Sequence, residues 1–92
     1  MSVYVDEPFM ESRGKRWAHL TADSAEELHA FAELLGLLRQ SFQTTPGKPW
    51  KDHYDVTEST RERAIGMGAI PESSKGGVER RSKARRQARE RP

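Results

Sequence analysis

Apolar and polar residues alternate at two places near the N-terminus. Ser2-Val-Tyr-Val-Asp6 places Val3 and Val5 on one side and Tyr4 and Asp6 on the other, which predicts a strand ended by Pro8. A polar loop holding Arg13-Gly14-Lys15 leads to a second alternation, Arg16-Trp-Ala-His-Leu-Thr21. Here Trp17, His19 and Thr21 share one face, with Ala18 and Leu20 on the other. The period then changes. Leu28, Phe31, Leu35 and Leu38 recur at helical spacing, and the stretch opens on Asp23-Ser24 with Glu26 and Glu27 three residues further on. Gly36 is suited to a left-handed terminus and Leu37 to the hydrophobic contact after it, so a helix is predicted over 24–35.

Beyond this helix the pattern weakens. Residues 37–42 read as a short strand, and Thr44 to Asp52 as a loop rich in Pro and Gly. His53-Tyr-Asp-Val56 is a short extended piece, and Thr57 caps a second helix over 58–67, with Ser59 and Glu62 as an alternative box and Gly68 as its end. Ala69-Ile70 before Pro71 is placed at a sheet edge. The order predicts an α/β layer fold, or its α+β variant: a small sheet of three to five short strands carrying two helices.

Composition alters this picture at one point. Residues 1–71 carry eight Lys/Arg against eleven Asp/Glu, a net of −3. Residues 72–92 carry eight against three, a net of +5. The chain therefore divides into a small domain, 1–71, and a flexible, disordered Arg-rich tail, 72–92, whose only apolar residues after the Ser-Ser-Lys-Gly-Gly linker are Val78, Ala84 and Ala88. Arg and Ala favour helix, so the tail is expected to order when a polyanion neutralises it. The hydrophobic fraction of 34% in 92 residues implies a thin core. With no cysteine, disulfides, thiolate metal sites and Cys nucleophiles are excluded. No apolar run reaches membrane-helix length, and Met1 to Asp6 is too short and acidic for a signal peptide, which together point to a cytoplasmic protein without a membrane partner.

Two groups of residues carry candidate chemistry. Arg80, Arg81, Lys83, Arg85, Arg86, Arg89 and Arg91 would bind phosphates of nucleic acid or another polyanion, without sequence preference since no aromatic is present to stack on bases. The second group lies in the body. His19, His53 and Asp55 are candidate catalytic residues, and Asp6, His19, His29 and His53 candidate ligands of a divalent metal. Their spacing matches no established metal motif. Each has a plainer role available: His19 as a packed strand histidine, Asp23 as a helix cap, Asp55 as support for the turn into the next helix, and Trp17, Phe31 and Tyr54 as core. Lys15, Arg16 and the helix start at Thr57 offer a weaker phosphate site.

Several segments together carry a resemblance: Val3-Tyr-Val-Asp6, Trp17-Ala-His-Leu-Thr-Ala-Asp23, Glu27-Leu-His-Ala-Phe-Ala32 with Leu35-Gly36, Phe42-Gln43, and His53-Tyr-Asp-Val-Thr57 with Arg61, Ala64 and Gly68-Ala69. The body resembles a short bacterial and bacteriophage family catalogued as domain of unknown function four-zero-three-one. The resemblance supplies no activity. It implies that Asp6, His19, His29, His53 and Asp55 lie inside the family's motif blocks, with the tail from Ser73 outside them and the loop 44–52 longer than the family's. Three functions follow as expectations: a binding module whose Arg tail contacts nucleic acid or a ribonucleoprotein, a His/Asp-site metal-dependent hydrolase or nucleotide-processing enzyme, and a phage-type inhibitor of a host protein.

Overall fold

The computed structural model describes residues 2–8 and 10–90. Among them the chain runs β1 (Val3–Val5), β2 (Met10–Ser12), β3 (Lys15–Ala22), α1 (Ala25–Leu34), β4 (Phe42–Gln43), β5 (His53–Thr57), α2 (Glu58–Gly66), β6 (Ile70–Pro71) and α3 (Ser74–Glu90). The sheet is mixed, in the order β4-β5-β3-β1-β6, with β2 pairing the far end of β3 as a hairpin. Only the β1–β6 pair is parallel; the others are antiparallel. The architecture is thus α+β with six strands and three helices among the described residues, larger than the predicted three to five strands and two helices.

The differences have physical causes. β2 was not predicted because Met10-Glu-Ser12 is short and exposed throughout, so it carries no burial pattern. Residues 37–42 give a single 3-10 turn over Arg39–Ser41 before the two-residue β4. The largest departure is α3. Residues 74–90 of the expected unfolded tail form a helix.

α1 starts where the pattern placed it. The Ser24 hydroxyl accepts the Glu27 N–H at 3.2 Å and so caps the helix. Asp23 does something else: its carboxylate accepts the Ser2 N–H at 2.7 Å and the Tyr4 hydroxyl at 3.0 Å, tying β1 to the end of β3. Gly36, at φ +80°, closes α1 by letting Leu37 N–H return to the Ala32 carbonyl at 2.9 Å. Thr57 caps α2 through the Thr60 N–H at 3.4 Å.

Strand alternation divides the sheet into two unlike faces. Val5, Ala18, Leu20, Tyr54 and Val56 are buried with Leu28, Ala32 and Leu35 of the α1 region and Ala64 of α2. Burial of these side chains is the main stabilising term, at about 25 cal/mol per Å² of apolar surface removed from water. The intervening residues Tyr4, Asp6, His19, Thr21, His53 and Asp55 take the opposite face. α3 lies against that second face, held by Arg80. Its guanidinium pairs with both Glu72 carboxylate oxygens at 3.1 Å, donates to Thr21 Oγ1 at 2.6 Å, and sits 3.8 Å from the Tyr4 ring centre.

Candidate metal centre on the polar face of the sheet

Register alone assembles the site. His19 of β3 is directly opposite Asp55 of β5. His53, two residues before Asp55, lies on the same face at the adjacent diagonal. Asp6 follows β1, whose Val5 pairs with Leu20, so Asp6 falls beside His19. Gln43 of β4 pairs with His53 and lies diagonal to Asp55. Side chains from four strands therefore converge on one row.

The donor atoms have fixed orientations. Asp6, only 2% exposed, accepts the His19 backbone N–H at Oδ1 (2.6 Å) and meets the His19 ring Nδ1 at Oδ2 (2.9 Å). His53 Nδ1 lies 2.8 Å from the Lys51 carbonyl. A carbonyl only accepts, so this nitrogen carries the proton. The same reasoning protonates His19 Nδ1 against the Asp6 carboxylate. A neutral ring with this tautomer carries its lone pair on Nε2. His19 Nε2 is 3.9 Å from Asp55 Oδ1, and His53 Nε2 is 3.4 Å from the same oxygen. The two rings meet edge to face at 4.8 Å. Asp55 is itself positioned, since its Oδ2 accepts from Gln43 Nε2 at 2.7 Å.

Three electron-pair donors, two imidazole and one carboxylate, thus lie within 4.8 Å of one another. A tetrahedral ion with bonds of ~2.0–2.2 Å places its donors about 3.3–3.6 Å apart. Two known separations, 3.4 and 3.9 Å, are already near that range, and small side-chain rotations close the set. Two histidines and one carboxylate suit Zn²⁺ and the neighbouring divalent transition metals, leaving a coordination position open for a reactant. The hydrogen bonds that the two rings donate, to the Asp6 carboxylate and to the Lys51 carbonyl, are the outer contacts that metal-binding histidines characteristically make.

A family model described as "Protein of unknown function (DUF4031)" matches residues 3–85. The chain belongs to the DUF4031 family. No curated protein and no solved structure matches the chain. The DUF4031 match takes in His19, His53 and Asp55 as well as Asp6, and it continues through the first twelve residues of α3, although the resemblance in sequence leaves the tail from Ser73 outside.

The other site expectations separate on this structure. Asp6 stands behind His19 as an orienting group, with both carboxylate oxygens occupied by His19, so it is not placed as a ligand. His29 is on the helix-covered side of the sheet, where its Nδ1 meets the Tyr54 hydroxyl at 2.8 Å and its ring packs on Phe42. It does not join the His19–His53–Asp55 group. Burial lowers the His29 pKa, with Arg39 adding to the effect and Asp52 opposing it. Burial likewise raises that of Tyr54. Arg16 pairs with Glu58 at 3.3 Å and with the Pro8 carbonyl at 2.9 Å, and Thr57 caps α2 with its own side chain, so neither is arranged as a phosphate site.

Within the basic segment, Arg80 is taken up by Glu72, Thr21 and Tyr4, and Arg81 is half-buried, whereas Lys83, Arg85, Arg86 and Arg89 are exposed. Arg91 lies outside the described residues. Among the described residues, no helix is long and apolar enough to cross a membrane. Sequence reasoning missed Gln43 and the Lys51 carbonyl. Gln43 gains its role only when β4 pairs with β5, and the Lys51 carbonyl is presented by the 3-10 turn Pro49–Lys51 just before His53.

Proposed function

We propose that this DUF4031 domain is a metal-dependent hydrolase built on His19, His53 and Asp55. The observation that carries the reading is the common focus of His19 Nε2, His53 Nε2 and Asp55 Oδ1, with each side chain held by a hydrogen bond on its far side. A neutral imidazole whose Nδ1 is protonated has no proton at Nε2 to offer Asp55. A cation between the three would take an electron pair from each donor. A divalent ion so held polarises a bound oxygen and lowers the pKa of coordinated water toward neutrality. Asp6 fixes the His19 ring and Gln43 the Asp55 carboxylate, so the donors are positioned before the ion arrives.

The test is hydrolysis of chromogenic carboxyl-ester and phosphate-ester substrates by the full chain, with Zn²⁺, Mn²⁺ or EDTA. Activity that needs the ion and is lost in Asp55→Asn and His53→Ala supports the reading. Metal-independent activity, or none with any ion, contradicts it.

A second reading is kept for α3. The exposed Arg85, Arg86 and Arg89 give this helix a basic surface suited to a polyanion, nucleic acid included. Being already helical, that surface needs no neutralising partner to order it.

A further inference from the structure

The helix that covers the polar face brings one more charged group to the metal site. Arg81 lines a cavity of about 180 Å³ together with His19, Thr21, Lys51 and His53. Its Nη1 is buried and has no hydrogen-bond partner among the described residues. A guanidinium nitrogen removed from water without a partner is costly, because the desolvation of its N–H groups is not offset. Its neighbours do not relieve it. Glu72, the nearby carboxylate, is already paired through both oxygens with Arg80. Gly77 leaves the room that the guanidinium occupies: a Cβ there would lie 3.0 Å from Arg81 Nη1 and 2.8 Å from Glu72 Oε2.

The same residue also faces a second space. A larger cavity of about 510 Å³ is lined by Asp23, Ser24, Trp50, Asp52, Lys83 and Gln87, and it shares Thr21 and Arg81 with the smaller one. Thr21 and Arg81 thus stand in the wall between the two spaces, the smaller of which is bordered by the two histidines of the cluster.

We infer that Arg81 binds the phosphate of a phosphorylated small-molecule substrate whose organic part occupies the larger cavity. This inference deepens the metal-dependent reading above and rests on it for catalysis, although not for binding. A guanidinium presents paired N–H donors that match two oxygens of a tetrahedral anion, and phosphate offers a third oxygen toward the cluster. Lys51 adds a second cationic side chain to the cavity wall. The larger cavity suits a molecule of nucleotide size, with Trp50 as an apolar surface and Asp23, Asp52 and Gln87 as polar groups along the wall. α3 thereby becomes part of the site, and the Arg80 clasp is what holds Arg81 in place.

The experiment is calorimetric titration of inorganic phosphate, and separately of Zn²⁺, into the full chain, Arg81→Gln, Arg81→Lys and Asp55→Asn. Loss of one charged bidentate contact corresponds to a weakening of about 10–100-fold. Arg81→Gln is expected to weaken phosphate by that factor and to leave Zn²⁺ affinity within about twofold, with Arg81→Lys intermediate for phosphate. Asp55→Asn is expected to lose Zn²⁺ and to retain phosphate binding in the metal-free protein. Unchanged phosphate affinity in Arg81→Gln overturns the assignment, as does equal Arg81-dependent binding of acetate. Zn²⁺ failing to bind while phosphate still depends on Arg81 would sink the hydrolase reading and leave this one standing.

Discussion

Asp6 meets His19 at two points, the backbone N–H and the ring nitrogen, from a position almost wholly removed from solvent. Such a carboxylate fixes both the ring angle and the tautomer. Asp6→Asn should therefore lower metal affinity about 10–100-fold while His19→Ala removes it, as read by competition with a chelating dye. A thermal melt on the same samples reports whether the fold survives. His29 has a different consequence. Because its folded pKa is lowered from 6.5, the unfolded chain takes up the proton first as pH falls. The stability that neutral His29 contributes is complete above about pH 6.5 and is lost as pH falls through the lowered folded value. Urea midpoints of the wild type should drop below that pH, and those of His29→Gln should be flatter there. Equal pH dependence in the two proteins contradicts this assignment.

The elements differ in how plainly the chain announces them. β3 and α1 were legible because burial on one side imposes a period: Ala18 and Leu20 alternate with Trp17, His19 and Thr21, and Leu28 and Leu35 recur along the helix. Partnership between elements was not legible. Nothing local says that His19 will face Asp55, since that depends on β5 pairing with β3 across more than thirty residues of chain. α3 was hidden for another reason. It docks through a guanidinium on an aromatic ring and a carboxylate, so its sequence shows no apolar stripe of the usual width. Arg80→Ala removes the cation–π contact, the ion pair and the bond to Thr21 together. It should cost on the order of 2 kcal/mol, and amide exchange should speed across residues 74–85 with β3 and β5 left protected. Exchange that accelerates everywhere alike would show that the clasp is not local to α3.

At the scale of the whole molecule, the sheet keeps its apolar core and its titratable row on opposite faces. The core lies between the sheet and α1 and α2, and the titratable row lies on the opposite face, which α3 meets through Arg80 at Thr21 and Tyr4. Substitutions on the two sides should thus have separable effects. Leu28→Ala, on the core side, is expected to cost about 2–5 kcal/mol with the metal site intact in the remaining folded protein. On α3, replacing the exposed Arg85, Arg86 and Arg89 by Ser should weaken binding to single-stranded RNA and shallow its salt dependence by ~0.7 per lost phosphate contact, with Zn²⁺ affinity unaffected. An unchanged salt slope would remove the polyanion reading.

The central claim is that His19, His53 and Asp55 hold one divalent ion. Its most direct measurement is the stoichiometry and affinity of Zn²⁺ for the full chain beside His53→Ala, Asp55→Asn and His29→Ala. One ion per chain is expected, bound at least ~100-fold more weakly in the first two variants and unchanged in His29→Ala. Binding that survives loss of His53 and Asp55, or that fails on loss of His29, would contradict it.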